Sequence, residues 1–71
     1  MKEVFIRGFK VRYEEGDQSG INYLFYDLDA EESRVFFDQA KQKKYAAFED
    51  DKEGQFSLSY TKDGSFTLMR R

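Results

Sequence analysis

Residues 4–28, VFIRGFKVRYEEGDQSGINYLFYDL, decide which fold this chain adopts. Val, Ile, Phe and Tyr crowd both ends, and a polar, glycine-bearing stretch, EEGDQSG, separates them. Runs of β-branched and aromatic residues bounded by turn residues read as strands. The segment therefore predicts a hairpin of strands 4–13 and 21–28. With Tyr13 opposite Ile21, Val11 meets Tyr23, Phe9 meets Phe25, and Arg7 meets Asp27 as an opposite-charge pair. That register gathers six apolar residues on one face. A two-residue slip would keep the faces, because side chains alternate with period two.

Beyond the hairpin the pattern changes period. Ala30, Ser33, Phe36, Phe37 and Ala40 recur at three- and four-residue spacing, which predicts a helix with this face on the sheet. Asp29 and Glu32 have the spacing of a capping box. Asp29, Glu31 and Glu32 suit the positive end of the helix dipole; Lys41, Lys43 and Lys44 suit the negative end. Arg34, Asp38 and Lys41 fall on the solvated side. The stretch KKYAAFEDD fits helix by propensity, but DKEG and TKDG resemble three-residue hairpin loops with glycine in the left-handed position. A meander of strands 45–50, 55–61 and 65–70 follows. Pairing Asp51 with Gln55 and Thr61 with Ser65 puts Phe48, Leu58 and Leu68 in one row and Ala46, Tyr60 and Phe66 in the next. Ser57, Ser59, Thr61, Ser65 and Thr67 then line the opposite, polar face. The expected architecture is α+β: one antiparallel-rich sheet in the order ββαβββ, with the helix packed on one face.

The 71 residues suffice for one small domain, residues 1–71. Such a domain buries only about 60% of its unfolded surface, so disulfides, metals or partners often assist. With no Cys and no His, disulfides and thiolate or imidazole zinc sites are excluded. Aromatics make up 18% of the chain and must supply core volume or an interface. A net charge of −2 argues against generic binding to nucleic acid or anionic membranes. The N-terminus MKEVFIRGF has no long apolar run, and no segment approaches the roughly 20 apolar residues of a membrane span. A soluble, cytoplasmic protein without cofactors is expected.

Chemistry at a catalytic site would have to come from carboxylates, Lys, Tyr or hydroxyls. No phosphate-binding glycine loop or nucleophile elbow is present. The acidic run EDDKE, 49–53, lacks the alternating oxygen ligands and bidentate glutamate of a calcium loop and reads as a solvated hairpin tip. No enzyme and no metal site are expected.

Arg7, Gly8, Phe9, Val11 and Tyr13 resemble in part the ribonucleoprotein signature of RNA-recognition motifs. Lys10 stands where Gly or Ala belongs and Val11 replaces a base-stacking aromatic. The motif also lies on the first strand of a one-helix chain, and the resemblance assigns no family. In the register above, Phe9, Val11 and Tyr13 lie under the helix. The reverse flank of the hairpin shows Lys10, Arg12, Leu24 and Tyr26, with Val4 and Ile6 at one end unless Gly8 forms a bulge that turns them inward. Exposed apolar area rimmed by polar groups marks partner surfaces. The expectation is a small non-enzymatic binding module that uses Lys10, Arg12, Leu24 and Tyr26 against another protein or a second copy of itself. The alternative is a single-stranded nucleic-acid binder in which Tyr26 stacks a base and Arg7, Lys10 and Arg12 hold phosphates.

Overall fold

The computed structural model describes residues 1–71, and its α+β class agrees with the sequence. Five strands form one mixed sheet in the order β1-β2-β5-β4-β3. They are β1 (Lys2–Ile6), β2 (Phe9–Tyr13), β3 (Tyr45–Glu49), β4 (Gln55–Tyr60) and β5 (Phe66–Arg70). Residues 15–27 are helical, and α2 (Ala30–Lys43) follows them. No helix is long and apolar enough to cross a membrane.

The expected hairpin of 4–13 with 21–28 does not form. Residues 4–13 instead fold back on themselves, with Ile6 paired to Phe9 and Val4 to Val11. The two-residue turn is Arg7–Gly8, with φ of 51° and 91°. Positive φ at both central positions is the type I′ signature, whose twist matches that of the flanking strands. A full reversal at Gly8 thus replaces the bulge and turns Val4 and Ile6 to the same face as Phe9, Val11 and Tyr13.

Residues 21–28 are released from strand duty and form a helical layer instead. A 3₁₀ turn, Glu15–Asp17, leads into α1, Gln18–Asn22, and a π-helical turn, Tyr23–Asp27. The π turn closes with the Leu28 N–H donating to the Tyr23 carbonyl at 3.1 Å. Gly20, Ile21 and Leu24 are buried, and that spacing is helical. Three side chains pin this segment to the sheet. Tyr13 Oη donates to Gln18 Oε1 (2.9 Å), Arg70 Nε donates to Asp17 Oδ1 (3.2 Å), and Tyr23 stacks on Phe48 at 5.8 Å. Arg7 does not meet Asp27. Its guanidinium donates to the carbonyls of Phe25 and Leu28, both at 3.1 Å, and so satisfies acceptors the helix end leaves free.

Helix α2 follows its sequence pattern closely. Asp29 accepts from the Glu32 N–H (2.8 Å) while Glu32 accepts from the Asp29 N–H (3.2 Å), completing the capping box. Ser33, Phe37 and Ala40 are buried, and Phe37 stacks on Phe9 at 4.4 Å. Lys44, with φ of 76°, ends the helix in the left-handed conformation and starts β3.

The meander is present, with one register as expected and one shifted. Leu58 pairs with Leu68 and Tyr60 with Phe66, as Thr61–Ser65 pairing requires. In the first hairpin Phe48 pairs with Phe56 and Ala46 with Leu58, a two-residue slip that preserves the faces. Both loops have the expected three-residue form. The first, however, closes on Asp50 and Gly54, whose N–H···O bond is 3.0 Å, so Glu53 takes the left-handed position with φ of 65°. Gly54 is there for space: a Cβ would lie 2.9 Å from Asp50 Oδ2 and 3.0 Å from Phe56 Cε2. Asp50 Oδ1 accepts from the Lys52 and Gly54 N–H groups at 2.9 and 2.7 Å, and this carboxylate clamp sets the register.

The antiparallel expectation fails at one joint. β2 and β5 run parallel, with Val11 opposite Phe66 and Arg12 opposite Thr67. The chain leaves β2, crosses one face through residues 15–43 and returns by hairpins through β3 and β4. Parallel neighbours need such a crossover. Every helix therefore lies on one side. The core between the layers contains Ile6, Val11, Leu24, Phe37, Phe56, Leu58, Phe66 and Leu68, all fully buried.

Candidate functional site

Strand alternation sends Val4, Ile6, Val11, Phe56, Leu58, Phe66 and Leu68 toward the helices, so their neighbours line the other face of the sheet. No helix lies over that face. Across it, Phe5 is opposite Lys10, Glu3 opposite Arg12, Arg12 opposite Thr67, Thr67 opposite Ser59, and Ser59 opposite Tyr45. Met69, Ser57 and Ala47 form a further row. The middle is small and half-buried. The rim carries three exposed large apolar side chains: Phe5 at 66%, Tyr45 at 57% and Met69 at 53%.

The charges on this face are paired among themselves. Lys10 Nζ meets Glu3 Oε2 at 2.9 Å, and Arg12 Nη2 meets Asp63 Oδ2 at 3.1 Å. The Lys10 hydrogen bond and charge hold the Glu3 carboxyl below its ordinary value. Asp63 is held far lower. The Ser65 hydroxyl contributes most, followed by the Thr61 hydroxyl and the Ser65 N–H, with Arg12 adding a further bond. Burial disfavours the Asp50 charge, but the Gly54 and Lys52 N–H groups outweigh it and its carboxyl is also lowered. Each of these carboxylates is an acceptor already occupied by nearby donors.

Of the four residues singled out from sequence, the structure brings only two together. Lys10 and Arg12 are neighbours on the uncovered face. Leu24 is fully buried beneath the helical layer, and Tyr26 is 75% exposed on the opposite side of the molecule, stacked on Phe25 at 4.9 Å. Phe25, expected in the core, is itself exposed. A strand would put residues 24 and 26 on one face, whereas a helix turns them nearly opposite ways. Phe5, Tyr45 and Met69 were missed. Phe5 was legible only by treating Arg7–Gly8 as a turn, which reverses the parity of β1 relative to β2. Tyr45 and Met69 follow from the meander's alternation and needed only the polar face to be read to its ends.

The helical side has one shallow, open groove of about 270 Å³, lined by Ser19, Asn22, Tyr26, Asp27, Asp51 and Lys52. Its lining is polar and its charges are mixed.

The site and fold define a small two-layer α+β domain with a helix-covered face and a bare one. No family model matches the chain, and comparison with curated proteins and with solved structures finds no match.

Proposed function

We propose that this chain is a small, non-enzymatic protein-binding module that works through the uncovered sheet face or an edge of the sheet, with a second copy of itself among its partners. The observation that carries this reading is the bare face. Phe5, Tyr45 and Met69 stand exposed around a half-buried centre of small residues, with Lys10 and Arg12 on the same face. Large apolar side chains around small ones offer contact area with little steric obstruction, and such patches on small domains serve as partner surfaces. The charge pattern favours a protein over a nucleic acid. Arg7 is bonded to helix carbonyls, and Lys10 and Arg12 face carboxylates, so each cation that would grip phosphates is already engaged. Tyr26 also lies on the other side of the sheet from Lys10 and Arg12.

The test is site-specific photo-crosslinking in cells that express the full chain. A photoreactive phenylalanine at position 5 or 69 is expected to give discrete protein adducts, while one at Val35, exposed on the outer side of α2, is expected to give none. Equal labelling at all three positions, or no adduct at 5 and 69, refutes the reading. Salt-sensitive binding of a fluorescent single-stranded oligonucleotide would favour the nucleic-acid alternative instead.

A further inference from the structure

The sheet has two edges, and they are guarded differently. At β3, the ladder to β4 is bracketed by two backbone bonds, Tyr60 N–H to the Lys44 carbonyl and Asp50 N–H to the Gly54 carbonyl, both 3.0 Å. With Tyr45 opposite Ser59 and Glu49 opposite Gln55, antiparallel alternation turns Ala46 and Phe48 toward β4. The N–H and C=O groups of Tyr45, Ala47 and Glu49 therefore point outward, away from β4. No strand lies beyond them. Edges are usually blunted by lysine, proline or a bulge. This one has none of these, and its single charge, Glu49, is tied back to Gln55 Nε2 at 2.6 Å. At β1, by contrast, the same alternation turns only Glu3 and Phe5 outward, and Lys2, Glu3 and Lys10 place charge along that edge.

We propose that a second copy of the chain adds antiparallel to this edge, β3 against β3, with the two-fold axis at Ala47. The inference rests on the contact-module reading and names its partner and register. The five-residue segment YAAFE is complementary to its own reverse. With Ala47 opposite Ala47 of the partner subunit, Tyr45 lies opposite Glu49 of the partner subunit, so hydroxyl meets carboxylate and no like charges face. On the helix side, small Ala46 lies opposite large Phe48 of the partner subunit. All three outward-facing positions then pair. Moving the axis by one residue leaves two such pairs, and moving it to Phe48 sets that ring against itself. The addition makes the two uncovered faces into one continuous surface, with the Tyr45 side chains of both copies near its centre.

Sedimentation equilibrium of the full chain, from micromolar to millimolar concentration, tests this directly. The mass is expected to rise from 8.5 kDa toward twice that value. Ala47→Pro removes an outward N–H that β4 does not use, and Ala47→Lys opposes two like charges across the axis. Each is expected to weaken the dimer by at least about tenfold while the circular dichroism of the monomer is unchanged. If the proline variant misfolds, the lysine variant decides. Val35→Lys, on the outer side of α2, should dimerise as the wild type does. A wild-type chain that stays monomeric at millimolar concentration overturns the inference, as does a dimer indifferent to Ala47→Lys. Adducts to foreign proteins at positions 5 and 69 would in either case leave the module reading standing.

Discussion

Gly16 and Gly20 lie four residues apart in one helical segment, and the same substitution is expected to act on them with opposite sign. By helix propensity alone, Gly→Ala stabilises a helix by about 1 kcal/mol. At Gly16, in the 3₁₀ turn, nothing lies within 4 Å of an added Cβ, so a gain of about 0.4–1 kcal/mol is expected from the lost freedom of the unfolded chain. At Gly20 the Cβ would lie 2.9 Å from Leu68 Cδ2, 3.0 Å from Phe56 Cδ1 and 3.1 Å from Phe56 Cε1. Both side chains are fully buried and cannot swing into solvent. Overpacking of this kind costs about 1–3 kcal/mol, which exceeds the propensity gain and leaves a net loss of ~1 kcal/mol. The two variants should then differ by ~2 kcal/mol, or about 8–16 °C in melting temperature for a domain of this size. Urea titration followed by far-ultraviolet circular dichroism reads the difference, and an unchanged urea dependence of the free energy shows that the compactness of the unfolded state is the same in both variants. Equal stabilisation by both substitutions would refute the packing of residues 15–27 on β4 and β5. It would also reopen the hairpin of 4–13 with 21–28, in which Gly20 is a free loop residue.

Leu24→Ala should destabilise by about 2–5 kcal/mol in the same titration, as a buried leucine does, while Tyr26→Ala should change stability by less than ~0.5 kcal/mol. Glu53→Gly relieves a left-handed backbone at a loop tip and is expected to raise the melting temperature, with a gain of about 1 kcal/mol; no gain would show that the Asp50 loop is not closed as described. The carboxyls of Glu3, Asp50 and Asp63 are all lowered in the folded state, so the unfolded chain binds more protons in acid. Their contribution is fully present above the ordinary carboxyl range near pH 4 and is lost as pH falls through the depressed values. Asp63→Ala should accordingly lose less stability than the wild type between pH 5 and pH 2 in parallel urea titrations, and an identical slope would remove Asp63 from the account.

Helix α2 and the second hairpin were legible because their local signals agree: capping box, three-and-four spacing and dipole-matched charges in one, a glycine-bearing loop flanked by alternation in the other. Residues 21–28 were not legible, because two signals conflict. Their content of Ile, Tyr, Leu and Phe favours strand, yet Ile21, Leu24 and Leu28 already have helical spacing, and Gly20 completes the face. Composition is the weaker guide here, since strand preference largely reports packing on a half-buried surface, and the underside of this helical layer is such a surface. The turn at Arg7–Gly8 was hidden for another reason. Arginine is a poor residue for positive φ, and its guanidinium bonds to the Phe25 and Leu28 carbonyls help to hold it there. That bond cannot be inferred until the helical layer is known. The candidate site inherited both errors: Lys10 and Arg12 stay side by side on one face because β2 is a strand as expected, whereas Leu24 and Tyr26 were joined by a strand that does not exist.

The bare face follows from topology as well as from composition. One crossover, residues 15–43, carries the chain from β2 to the far edge of the sheet, and both later connections are short hairpins that stay within its plane. The single crossover covers one side of the sheet, and the two later hairpins add nothing to the other. Antiparallel sheets tolerate this arrangement, but parallel pairs are ordinarily buried on both faces. Here the parallel pair β2–β5 lies at the centre with Arg12 and Thr67 uncovered above it. The Arg12–Asp63 ion pair and the Thr61–Ser65–Asp63 hydroxyl cluster spread polar cover over that exposed joint. Polar cover of this kind leaves the centre of the face hydrophilic and concentrates apolar exposure on Phe5, Met69 and Tyr45. A partner that meets this face would therefore find its apolar contacts on the two edge strands, at Phe5 and Tyr45, and at Met69 near the end of β5, and β3 also offers free backbone groups.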